Sequence, residues 1–154
     1  HLYSNQQISV SLSFEKGGLY LPKWQDDLFD QVKANLSYEM LGICLEVVNK
    51  DLKVVENIYQ QLLKNTSFNI ERNNQYIDIL PKGVSKKNAI KELLNVGHLK
   101  EDDLYVIGDS YNDLSMFEIN NHNFIIDKRI EALNKKATYI VDSISDCLKI
   151  IDKK

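Results

Sequence analysis

The sequence predicts an α/β protein in two parts. A mixed α/β unit occupies residues 1–76, and half of a doubly wound, parallel-sheet core occupies residues 77–154. Three observations lead to this reading. Before Pro81, short apolar runs are joined by turn residues, as in antiparallel hairpins. After Pro81, apolar runs alternate with helical patterns, as parallel strands alternate with crossover helices. The run at residues 104–107 is wholly apolar, as expected for a strand covered on both faces.

Residues 8–21 alternate loosely around Gly17-Gly18 and predict two strands joined by a tight turn. A short helix is expected over residues 26–35, and the apolar run at 40–48 reads as a strand. Asp51 is placed to cap a helix over residues 52–64. There Leu52, Val55, Ile58, Tyr59, Leu62 and Leu63 recur at helical spacing. Two further strands follow at 67–71 and 75–80, with Asn73-Asn74 as their turn. In the second part, Ser85 can cap a helix bearing Ala89, Ile90, Leu93 and Leu94 that ends near Gly97. Strands are expected at 104–107, 124–126 and 139–141. Helices are expected at 112–119, 128–136 and 145–151. No internal repeat or low-complexity linker separates the two parts.

Composition narrows the functional classes. With 44% hydrophobic and 27% charged residues, the chain can build a core and has no signature of disorder. A net charge of −3 leaves no overall basic footprint for nucleic acid. Cys44 and Cys147 lie far apart in sequence and away from any His-rich cluster, so they read as thiols of a reducing compartment. No apolar run approaches the ~20 residues of a membrane span. No secretory signal is visible. A cytoplasmic protein is the expectation.

The chemistry concentrates in Gly108-Asp109-Ser110-Tyr111-Asn112-Asp113, directly after the apolar strand. Ligand sites of open α/β sheets form outside the carboxyl ends of strands. Gly108 permits a tight turn there. Two carboxylates among oxygen-rich neighbours suit Mg²⁺, which is held by one or two carboxylates, waters and a substrate phosphate. The plainer reading is helix capping by Ser110 or Asn112. It accounts for one polar residue and leaves Asp109 and Asp113 without a task. A second cluster lies upstream. Lys86 and Lys87 open a helix, where the dipole disfavours cations unless they meet an anion; otherwise they are simply solvated.

Together, G-D-S-x-N-D-x-x-M and the upstream P-x-G-V-S-K helix start resemble the C-terminal half of a haloacid dehalogenase (HAD) superfamily phosphatase of the Cof type. The match is good from about residue 40 to 154, and residues 1–39 share only the general character of the family's α/β cap. The resemblance implies that residues 1–76 are a specificity cap and residues 77–154 the second half of the core. It implies a phosphoryl group taken by an aspartate and then released by water, with Mg²⁺ as cofactor and a small phosphorylated metabolite as substrate. It makes Lys86 the neutraliser of the transferring phosphoryl and Asp109 a direct Mg²⁺ ligand. Asp113 would hold Lys86 or a metal-bound water, and Asn112 would orient that network on the substrate side. Ser110 and Tyr111 would shape the turn.

The sequence departs from the family in three ways. The family's nucleophile sits in an Asp-x-Asp motif on the first core strand, and no Asp-x-Asp occurs in these 154 residues. The Thr or Ser motif after the next strand also has no counterpart. Residues 127–129 read Asp-Lys-Arg where the family carries small residues with Asn-Ala. The expectation is therefore a cap plus half a core, inactive by itself, in which the strand at 104–107 would form an apolar edge. A missing N-terminal segment or a second copy would cover that edge. A P-type ATPase, which uses a similar motif, is disfavoured by the lack of membrane spans. A binding or regulatory module with a structural acidic cluster is the alternative from another functional class.

Overall fold

The computed structural model describes residues 8–22, 39–64, 67–126 and 129–153. The helix expected over 26–35 lies outside the described residues. The chain divides into two compact units, residues 1–83 and 84–154. The division falls after residue 83 rather than at 76/77 because the strand beginning at Tyr76 pairs on both sides within the first unit.

The first unit is an antiparallel sheet in the order β2-β1-β3-β5-β4. The strands are β1 (Ile8–Phe14), β2 (Gly17–Leu21), β3 (Met40–Val47), β4 (Phe68–Asn73) and β5 (Tyr76–Pro81). Period-two alternation sends Ile8, Val10, Leu12 and Phe14 of β1 into the core and leaves Ser9, Ser11 and Ser13 for the other face. The core face is closed by helix α1 (Leu52–Leu62), whose Val55 and Ile58 are buried against it. Asp51 caps α1, one carboxylate oxygen accepting from Lys53 N at 2.9 Å and Val54 N at 3.4 Å. An Arg72–Glu56 ion pair ties β4 to α1. The first hairpin turns at Glu15-Lys16, one step before the expected glycines, and Gly17 opens β2 at φ 140, which disfavours a side chain. The β1–β3 ladder slips at one point. Ser13 faces Gly42 and Phe14 faces Met40, so Leu41 is the extra residue of a bulge.

The second unit holds three parallel strands in the order β6-β7-β8: Val106–Gly108, Asn123–Ile125 and Tyr139–Ile140. Its helices are α2 (Lys86–Val96), α3 (Glu131–Lys136) and α4 (Ile144–Ile151). Side chains alternate between two apolar layers. Val106 and Ile125 pack with Phe117, Leu133 and Ile90, while Ile107 and Phe124 pack with Cys147, Ile150 and Ile151. Helices thus cover both faces of a parallel sheet, the doubly wound arrangement that the alternating pattern implies. Buried Asn123 braces the crossover. Its amide donates to Phe117 O at 3.1 Å and Asn120 O at 2.8 Å, and its carbonyl accepts from Thr138 N at 2.6 Å.

Three expectations for this unit change. The strand expected at 104–107 runs instead from Val106 to Gly108, where it pairs with β7. The helix expected at 112–119 is two single 3₁₀ turns, Tyr111–Asp113 and Met116–Glu118, because the Asp113 side chain folds back onto the backbone before it. The helix expected at 128–136 begins only at Glu131. Among the described residues β6 pairs with β7 alone and is a sheet edge, although Val106 is buried beneath it.

Lys86 and Lys87 are both met by carboxylates. Glu118 accepts from Lys136 Nζ of α3 at 2.6 Å and from Lys87 Nζ of α2 at 3.0 Å. These bonds, Lys136 first, hold the Glu118 carboxyl below its usual range. A depressed carboxyl stabilises the fold above its unfolded pKa and loses that contribution as pH falls through the folded value. Because Glu118 is exposed, solvent screening keeps the effect small. Lowering the pH from about 6 to about 3 should therefore reduce the thermal midpoint of the wild-type chain slightly more than that of Glu118→Gln. Calorimetry across that range checks this, and identical slopes would leave the pair without energetic weight.

Candidate active site

The site begins where β6 ends. Asp109 to Asp113 follow Gly108 directly, so the polar cluster sits at the carboxyl end of a parallel strand. Asp113 is 4% exposed, and its carboxylate turns back along the chain. Oδ2 accepts from Asp109 N at 3.0 Å and Ser110 N at 3.1 Å. Oδ1 accepts from Lys86 Nζ at 2.6 Å. Three donors therefore satisfy one buried carboxylate, as a charge in that position requires.

Gly108 makes this fold-back possible. A Cβ at that position would lie 2.7 Å from Asp113 Cβ and 3.0 Å from its Oδ2. Gly108 is not among the residues of positive φ, so it serves by leaving space rather than by permitting the unusual turn expected from sequence.

Lys86 is the first residue of α2, after Ser85, whose hydroxyl accepts from Asn88 N at 3.1 Å. The helix terminus fixes the lysine backbone and the Asp113 pair fixes its ammonium, while the side chain remains 45% exposed. Asp113 thereby offsets the cost of a cation at a helix N-terminus. Asp109 is exposed, and its carboxylate makes no hydrogen bond or ion pair among the described residues. The Ser110 hydroxyl donates to Asn112 Oδ1 at 3.2 Å, which orients the Asn112 amide nitrogen away from that bond. Lys86, Asp109, Asn112 and Asp113 thus share one small region. The pairing of Lys86 with Asp113, one of the two roles the resemblance implied for Asp113, spans 27 residues of sequence.

The donor set bears on Mg²⁺. The ion takes hard oxygen ligands in octahedral geometry and keeps several waters. Asp109 offers both oxygens, whereas those of Asp113 are already engaged by an ammonium and two N–H groups. This unit therefore fits the ion through one direct carboxylate. No group of three or more His, Cys, Asp or Glu among the described residues could hold a metal.

The sequence pattern of haloacid dehalogenase-like hydrolases matches residues 9–147. The chain belongs to this family. Among similar proteins, the 5-amino-6-(5-phospho-D-ribitylamino)uracil phosphatase YwtE of Bacillus subtilis is 39% identical over 67 residues, 44% of this chain and 23% of the relative. An uncharacterised protein of Mycoplasma capricolum is 33% identical over 151 residues, covering 89% of this chain and 57% of that protein. The solved HAD subclass IIB sugar phosphatase BT4131 superposes with a TM-score of 0.69 at 17% identity, over 95% of this chain and 61% of the other, a likeness of fold. This haloacid dehalogenase-like chain therefore spans less than two thirds of each of these proteins.

Gly108→Ala should force Asp113 from its place. The expected cost is about 1–3 kcal/mol of stability for overpacking a buried contact. The amide resonances of Asp109 and Ser110 should also shift as they lose their acceptor. Denaturant unfolding and a two-dimensional amide spectrum of the full chain read both effects.

Proposed function

We propose that this chain is part of a Mg²⁺-dependent phosphatase of small phosphorylated metabolites, in which residues 84–154 contribute the phosphate-binding half of the catalytic site. The observation that carries this reading is a lysine locked to a buried carboxylate beside an unpaired aspartate at the end of a parallel strand. Lys86 keeps N–H donors free for phosphoryl oxygens while Asp113 holds its ammonium in place. Asn112 offers amide donors to the same group. Asp109 would hold the Mg²⁺, which when bound supplies charge neutralisation at the phosphoryl oxygens. The attacking aspartate, which takes the phosphoryl group as an aspartyl-phosphate before water releases it, comes from outside these 154 residues, since they contain no Asp-x-Asp. The phosphatase name of the Bacillus relative supports this class and makes its phosphorylated ribitylaminouracil a natural first substrate to assay.

The 154-residue chain should not hydrolyse p-nitrophenyl phosphate with Mg²⁺, for lack of a nucleophile. In the intact protein, Asp109→Ala and Lys86→Ala should each lower kcat by about 100-fold or more, as losses of transition-state charge stabilisation do. Steady-state kinetics on purified variants tests this. Near-normal turnover in either variant removes that residue from the site. Turnover retained in both assigns the acidic cluster a purely structural role.

A further inference from the structure

The second unit holds a polar contact that the catalytic reading leaves without a task. Lys86 and Lys87 are the first two residues of α2, and each meets its own carboxylate. Successive residues of a helix do not face one another, so the two ammonium groups leave it in different directions. Lys86 Nζ donates to Asp113 Oδ1 at 2.6 Å, and Lys87 Nζ donates to Glu118 Oε2 at 3.0 Å. The acceptors belong to the two 3₁₀ turns that follow β6, Tyr111–Asp113 and Met116–Glu118. The start of α2 is therefore clasped to that one segment at two points.

Burial does not do this job. In the first turn of α2, Lys86, Asn88 and Ala89 are exposed. The first residue of the helix packed on the apolar layer is Ile90, and the first one fully buried is Leu94. Helix ends fray where packing does not hold them. The turn that carries Lys86 is thus placed by polar contacts. Glu118 is built to supply one. Its neighbour Phe117 is buried with Val106 and Ile125, and the Phe117 carbonyl accepts from the Asn123 amide at 3.1 Å, so Glu118 stands on a fixed backbone. Its second oxygen accepts from Lys136 Nζ at 2.6 Å, so the carboxylate is held from two sides. By contrast, the Lys91–Glu101 pair further along α2 is longer, at 3.4 Å, and joins two half-exposed side chains.

We infer that Glu118 is a positioning residue for the phosphate-binding ammonium of Lys86, acting through Lys87 on the first turn of α2. The inference rests on the phosphatase reading for what Lys86 meets, and on these contacts alone for how it is held. A pair this exposed contributes little stability. Its effect is geometric. A donor that has to meet a phosphoryl oxygen loses much of its value when displaced by about 1 Å. The residues that support such a donor need locking as much as the donor itself.

The test joins a spectroscopic readout to a kinetic one. In the ¹⁵N-labelled 154-residue chain at low temperature, the Lys86 ammonium resonance reports whether Asp113 still holds it. That resonance should be sharp in the wild type and broaden in Glu118→Gln and in Lys87→Ala, while the amide spectrum stays dispersed. In the intact protein, each of these variants should lower kcat and kcat/KM together by about tenfold, as displacement of a transition-state donor does. The double variant should lose no more than either single one, because both break the same contact. Lys87→Arg keeps a cation within reach of Glu118 and should retain most of the rate. Lys91→Ala, which removes a different ion pair of the same helix, should retain all of it. Wild-type kcat in Glu118→Gln, additive losses in the double variant, or a comparable loss with an unmoved Lys86 resonance would each overturn the inference. A Lys86 resonance that responds as stated, in a protein whose intact form turns over no phosphate ester, would uphold the positioning and sink the phosphatase reading instead.

Discussion

The second unit depends on one carboxylate turned the wrong way for a helix. Asp113 could have continued a regular helix, with its side chain pointing outward. Instead it reaches back to the two amides that precede its own turn and to a lysine on another helix. That choice shortens the segment after β6 into 3₁₀ turns, closes the strand end, and ties α2 to the polar loop. Among the described residues it also leaves Asp109 as a carboxylate without a partner. An acid engaged by three donors beside an acid engaged by none is a division of labour, one positioning and one available.

The price of this arrangement is borne by position 108. The side chain of Asp113 occupies the volume in which any Cβ would stand, so the glycine, the aspartate and the lysine are constrained together. Shrinking Asp113 would relieve the steric demand but strand two backbone donors and a cation. The Glu118 bridge between Lys87 and Lys136 repeats the theme at the surface with less at stake, since all three side chains are partly or largely solvated.

Much of the fold was legible in the sequence, for physical reasons. Helix α1 was readable because its apolar stripe is regular and Asp51 is a strong cap. The central parallel strand was readable because both of its faces are buried, which leaves an uninterrupted apolar run. The misread stretch at 112–119 has a helical apolar step from Leu114 to Phe117. Period cannot report that Asp113 bonds backward. In the candidate site, the motif residues were visible as a group, and the Lys86–Asp113 bond was expected through the family resemblance alone, because local spacing cannot report a pair 27 residues apart. The bulge in the β1–β3 ladder was hidden too, since one extra residue leaves no local signature.

Cys44 stands opposite Asp78 in the first unit's sheet, and the carboxylate adds to what burial does to the thiol. Burial first, then the hydrogen bond to Asp78 and the charges of Asp78 and Glu46, push its thiol up to about 12. The thiolate is the form that attacks peroxides, disulfides and alkylating reagents. A thiol held protonated by burial and by neighbouring carboxylates is therefore sluggish toward all of them. Cys147 is fully buried, and burial likewise raises its pKa. Neither thiol therefore presents, near neutral pH, the thiolate that a sulfenic-acid sensor or a disulfide partner uses.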